Sequence, residues 1–144
     1  NGLSFNCAES VMIRVNRALN LDFFNHSCLR IASVFGGGVA GCGEVCGAVS
    51  GAAMAIGLKL GTSGDEEPEE FSLKREKSRN IVKQFVTSFS ENWGSIRCEF
   101  LLSMDKGEMS PVGSQRISNY EIRNRCNEYV SWSSKKVIDL LDDK

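Results

Sequence analysis

Between residues 6 and 19 the apolar or sulfur-bearing positions are Cys7, Ala8, Val11, Met12, Val15, Ala18 and Leu19. Steps of three and four predict an amphipathic helix. Asn6 can cap it, with Glu9 completing a capping box. Arg14, Asn16 and Arg17 fall on the wet side, and Cys7 sits in the first turn on the apolar face. Residues 27–35 predict a short second helix with Ser27 as its cap. The run Gly36-Gly37-Gly38-Val39-Ala40-Gly41-Cys42-Gly43 cannot sustain a helix, because glycine loses too much backbone freedom there. It reads as a loop that turns tightly or approaches something closely. Residues 44–60 then resume a helix that is apolar almost all round, the pattern of a buried central element. Gly47 and Gly51, one turn apart, let a neighbouring helix come close, and Gly61 is a natural stop.

Residues 62–70 are acidic and polar, and Pro68 suits the first turn of the next helix, whose dipole favours acids at that end. That helix is expected to run to about residue 89, with Phe71, Ile81, Val82, Phe85, Val86 and Phe89 as its stripe. Lys74, Arg75, Lys77, Arg79 and Lys83 make a solvated basic stretch, and residues 92–94 break the chain. Ser95 can cap a short helix through residue 102, placing Cys98, Leu101 and Leu102 on one face. Residues 103–115, with Gly107, Pro111 and Gly113, read as a loop. Ser118 and Glu121 make a capping box for a last helix with Ile122, Cys126, Tyr129, Val130, Ser133, Val137, Leu140 and Leu141 on its stripe. There is no β alternation and no internal repeat. The expected fold is all-α: a single domain over residues 1–144, a bundle of about five or six helices around the buried Gly/Ala-rich helix.

Composition narrows the function. The chain has 144 residues with 17 basic and 18 acidic side chains, net charge −1, which argues against a nucleic-acid binder relying on phosphate attraction. Six cysteines stand against one histidine, His26, so any chemistry falls to sulfur. His26 reads as a loop or cap residue. The longest apolar stretch, residues 45–58, covers about 14 residues, short of the roughly 20 that span a bilayer. No signal peptide is visible, and the reading is a cytoplasmic protein, where thiols or metal thiolates outrank structural disulfides.

Cys7, Cys98 and Cys126 each lie on the apolar face of an expected helix, and Cys46 opens the central one. Four separate segments can therefore bring a cysteine to the core, although a single buried cysteine is more often mere packing. Cys46 is the expected nucleophile, because a helix N-terminus favours the thiolate, with Glu44 opposing. Cys42 and Cys46 form a C-x-x-x-C pair, not the C-x-x-C of thioredoxin-like proteins. The glycine run lacks a following Gly-Lys-Ser/Thr and a preceding strand, so it is not a nucleotide loop. The spacings contain no closely paired ligands of a zinc finger or ribbon. A four-cysteine zinc or iron–sulfur site built by the tertiary fold stays open, beside thiol exchange.

Cys46-Gly47-Ala48-Val49-Ser50-Gly51 reads C-G-A-x-x-G, with Cys7 upstream in Asn6-Cys7-Ala8-Glu9-Ser10-Val11 and Cys98 and Cys126 downstream. With Phe35-Gly36-Gly37-Gly38 before it and Ala55-Ile56-Gly57-Leu58-Lys59-Leu60-Gly61 after it, the chain resembles the redox-active protein family named for its C, GCAxxG, C, C pattern. The resemblance implies a redox or metal-thiolate role for Cys7, Cys46, Cys98 and Cys126, a bacterial or archaeal origin and an association with transporters. Cys28 and Cys42 fall outside the four-cysteine pattern. Three readings follow. The first is a thiol redox protein in which Cys46 attacks a disulfide or oxidant and a second cysteine resolves it, its partner a redox protein or a small thiol or disulfide. The second is a metal or iron–sulfur protein with Cys7, Cys46, Cys98 and Cys126 as ligands. The third is a non-catalytic helical partner of a transporter. The glycine-faced helix could equally serve a homodimer.

Overall fold

The computed structural model describes residues 2–107 and 125–142. Six helices follow one another: α1 (Cys7–Leu19), α2 (His26–Ala32), α3 (Gly47–Leu60), α4 (Pro68–Trp93), α5 (Cys98–Asp105) and α6 (Cys126–Leu141). The protein is all-α, and its described residues contain no strand beyond one isolated antiparallel bridge between Val45 and Arg97. No helix of the described residues is long and apolar enough to cross a membrane.

α1 starts as its sequence predicts. The Asn6 side chain accepts from the Glu9 amide at 2.9 Å, and Glu9 accepts from the Asn6 amide at 2.9 Å. The Asn6 amide group also donates to the carbonyls of Ala32 and Ser33, tying the start of α1 to the end of α2. Elsewhere the caps differ from expectation. α2 is capped by Asn25, which accepts from the Ser27 amide at 2.8 Å, and it ends at Ala32. Either residue type can cap, and only the extended backbone at Asn25 turns its side chain onto the first turn. α3 begins at Gly47 and not at residue 44, because residues 44–46 pair with the segment before α5: the Cys46 amide donates to Ile96 at 2.7 Å and the Cys98 amide to Glu44 at 2.6 Å. α4 continues past residue 89 to Trp93, where Gly94 takes a left-handed conformation and stops it. Ser95 accepts from the Arg97 amide, but Arg97 is the cap residue of α5. α5 runs through residues 103–105, which were expected in a loop. The expected Ser118–Glu121 capping box and Ile122 lie outside the described residues.

α3 is the centre, packed against α1, α4 and α6. It approaches α1 closely. A Cβ added at Gly51 would stand 2.5 Å from the Ala8 carbonyl oxygen, and one at Gly47 would stand 3.0 Å from the Cβ of Cys7. The glycine face considered for a homodimer is thus occupied within the chain. On the far side an aromatic layer joins α4 to α6: Trp93 packs edge-on to Tyr129 at 4.9 Å between ring centres, with Phe85, Phe89 and Trp132 around them. Val11, Val15, Ile56, Phe85, Phe89, Tyr129, Val137 and Leu141 close the core between them.

Candidate functional site

Four loop and helix ends meet at one end of the bundle. Cys7 is the first residue of α1, Cys46 precedes α3, Cys98 opens α5 and Cys126 opens α6. The glycine loop holds these ends together through its backbone. The Gly43 amide donates to Gly37, the Glu44 amide to Gly38, and the Glu99 amide to Gly43. Gly38 is essential to this wrap. Its φ is +76°, and a Cβ there would lie 2.6 Å from the Glu44 amide nitrogen and 2.7 Å from the Cβ of Cys98. Its neighbours Val39 and Ala40 adopt left-handed φ of 64° and 51°, an uncommon conformation for residues with a Cβ and one held here by the loop's hydrogen bonds.

The four sulfurs form one electrostatic group. Cys126 hydrogen-bonds the Cys7 sulfur, and this lowers the Cys7 pKa below its ordinary value against burial and against the neighbouring Cys46 and Cys98. Cys46 goes the other way. Its side chain makes no cap hydrogen bond; the nearby amides of Ala48 and Val49 favour the thiolate, but burial outweighs them and pushes the thiol up to about 12. Cys98 is also raised, first by burial and then by Cys126 and Asp105. Burial thus opposes a thiolate at Cys46, the nucleophile expected from sequence. At 4% exposure the cost of desolvating an anion exceeds what two amides return. Negative charge on any one sulfur opposes charge on the others, and the shifts favour a thiolate at Cys7 over one at Cys46 or Cys98.

The remaining two cysteines are elsewhere. Cys28 is buried in a separate apolar cluster with Ala8, Met12 and Ala32, its thiol directed at the Phe23 carbonyl. Cys42 is exposed on the glycine loop. His26 is an exposed residue at the start of α2. Among the described residues no group of three or more His, Cys, Asp or Glu side chains is arranged to hold a metal ion.

Sequence reasoning passed over Asp105. It is buried at 4% exposure in the last turn of α5, accepts from the Arg125 amide at 3.1 Å, and accepts from the Tyr129 hydroxyl at 2.5 Å. Arg125 in turn forks onto Glu128 with two contacts of 2.6 Å and lies 5.0 Å over the Trp93 ring. On the opposite flank Arg97 stands 3.6 Å from both Glu44 and Glu99 and 4.7 Å over Phe100.

No solved structure matches the chain. An uncharacterized protein of Archaeoglobus fulgidus is 28% identical over 142 residues, covering 96% of this chain and 86% of its own length. The family label writes its central element Gly-Cys-Ala, whereas this chain has Cys46-Gly47-Ala48. Packing favours the order found here, since a side chain at position 47 would be crowded by Cys7, Ala8 and Phe35. With four of its cysteines at one end of an all-α bundle and residues 5–140 matching the family model, the chain belongs to the family described as "Putative redox-active protein (C_GCAxxG_C_C)".

Proposed function

We propose that this protein is a dithiol–disulfide exchange protein in which Cys7 is the attacking thiolate and Cys126 the resolving thiol. The observation that carries the reading is that Cys7 and Cys126 open two helices packed on each other, α1 and α6; their interaction lowers the Cys7 pKa, whereas burial raises those of Cys46 and Cys98. The Cys7 thiolate attacks one sulfur of a substrate disulfide, forming a mixed disulfide and expelling the other half as a thiolate. Cys126 loses its proton to that departing thiolate, attacks the Cys7 sulfur and expels the second half. Two electrons pass from the Cys7–Cys126 pair to the substrate, which leaves as one thiol and one thiolate, the latter protonated by water. Cys46, which is buried, and Cys98, which is half-buried, are both shifted toward the neutral thiol, so they do not compete for the attack.

The test uses oxygen-free protein carrying Cys42→Ser, with oxidised glutathione as probe and peptide mass mapping as readout. The native pair should close to a Cys7–Cys126 disulfide. Cys126→Ser should accumulate glutathione on Cys7, and Cys7→Ser should accumulate none. Absence of any mixed disulfide on Cys7 would overturn the reading. So would stoichiometric zinc or iron, found by elemental mass spectrometry, that masks all four thiols.

A further inference from the structure

Tethering of Cys126 depends on a carboxylate from another helix. Cys126 opens α6, and the residue before it, Arg125, gives its amide to Asp105 on α5 at 3.1 Å. Tyr129, one turn into α6, gives its hydroxyl to the other oxygen of the same carboxylate at 2.5 Å. Tyr129 is 1% exposed, and its ring is fixed edge-on against Trp93 and beside Phe89. Both contacts are hydrogen bonds to an anionic acceptor in a buried site, the stronger class. A buried carboxylate is retained only where donors compensate its lost water, and here those donors lie just before and just after Cys126.

We propose that Asp105 is a positioning residue for the redox pair, clamping the first turn of α6 so that Cys126 is held against Cys7. The proposal rests on the exchange reading above and adds to it the group that sets the pair's equilibrium. Fixing the Arg125 amide fixes the backbone of the next residue, Cys126, and the Tyr129 bond prevents that turn from rotating. An unclamped turn would lower the effective concentration of the Cys126 sulfur at Cys7. The Cys7–Cys126 disulfide would then form less favourably against an external thiol. Asp105 shares α5 with Cys98, so one short helix carries both a cluster thiol and the clamp.

Equilibration with mixtures of reduced and oxidised glutathione, in the Cys42→Ser background, measures this directly. The equilibrium constant for the Cys7–Cys126 disulfide should fall about tenfold in Asp105→Ala, or roughly 30 mV for a two-electron couple. Asp105→Asn, which keeps an acceptor oxygen, should recover part of it, and Tyr129→Phe, which leaves the Arg125 contact, should fall less than Asp105→Ala. Cys28 reports on the fold as a whole, because it lies in a different cluster. Under a clamp it stays protected from alkylation while the constant falls. An unchanged constant, or a fall only in step with Cys28 exposure, would overturn the clamp while leaving the exchange reading intact. Failure of the parent protein to form the disulfide at all would overturn both.

Discussion

Cys7 and Cys46 face the same α1–α3 contact, yet their thiols are shifted in opposite directions. Each sits at a helix start, so the dipole does not distinguish them. What separates them is burial and the nature of the donor: Cys46 has backbone amides but almost no water, whereas Cys7 receives a side-chain hydrogen bond from Cys126. Removing that donor should raise the Cys7 pKa toward its ordinary value. Cys126→Ala is expected to slow iodoacetamide labelling of Cys7 at neutral pH by roughly tenfold, as losing one hydrogen bond to a charged group implies. Mass mapping across a pH series checks it, and Cys46 should stay unlabelled until the protein unfolds. A periodicity argument could find these cysteines because Cys7 lies on a helix's apolar stripe and Cys46 stands at the start of the apolar central helix. It could not rank them, because burial of a single sulfur depends on what the other helices place over it. Asp105 was illegible for the same reason. Its partners, Arg125 and Tyr129, lie twenty or more residues away, and a lone acid at the end of a short apolar run gives no sign of being buried.

At the level of the elements, α3 offers two glycines with opposite expectations. Gly51 has no room for a Cβ against the Ala8 carbonyl, whereas nothing lies within 4 Å of a Cβ at Gly57. Gly51→Ala should therefore force α1 and α3 apart and cost about 1–3 kcal/mol, the usual range for overpacking. Gly57→Ala should stabilise by about 0.5–1 kcal/mol through helix propensity alone. Urea denaturation of both variants decides the point, and similar midpoints would refute it. Entry to α4 makes a separate prediction in pH. The Glu66 carboxylate accepts from the amides of Ser63 and Gly64, with Lys74 at 3.6 Å, and its pKa drops to about 2, chiefly through the Ser63 bond. The folded value lies below the unfolded one, so the stabilisation is complete above the ordinary carboxylate range and disappears as pH falls toward 2. Glu66→Gln should accordingly melt lower than the parent at neutral pH and converge with it in acid. The boundaries of these elements were only partly legible: the stripe and capping box of α1 are local and appear as read, while α3 starts late because residues 44–46 pair with a segment fifty residues on.

For the whole molecule, the proposed Cys7–Cys126 pair would link two elements from opposite ends of the chain. Cys7 opens α1 and Cys126 opens α6, and these helices already pack along each other. A disulfide between them would close a loop containing most of the residues, and loops of that order restrict the unfolded chain by about 4–5 kcal/mol in the chain-entropy account. The folded state meets little opposing cost if the clamp keeps the two sulfurs in contact before oxidation. Linkage then requires that whatever stability the disulfide adds to the fold, the fold adds to the disulfide. The oxidised protein should resist urea more than the reduced one by up to about 4 kcal/mol, less any strain. Cys7→Ser and Cys126→Ser should each abolish the difference, whereas Cys28→Ser should not, since Cys28 packs in a separate cluster. Equal unfolding midpoints for the two redox states would mean that bond formation strains the bundle by as much as it restricts the unfolded chain. In that case the reduced pair is not pre-positioned, and exchange would have to proceed through a rearranged α6.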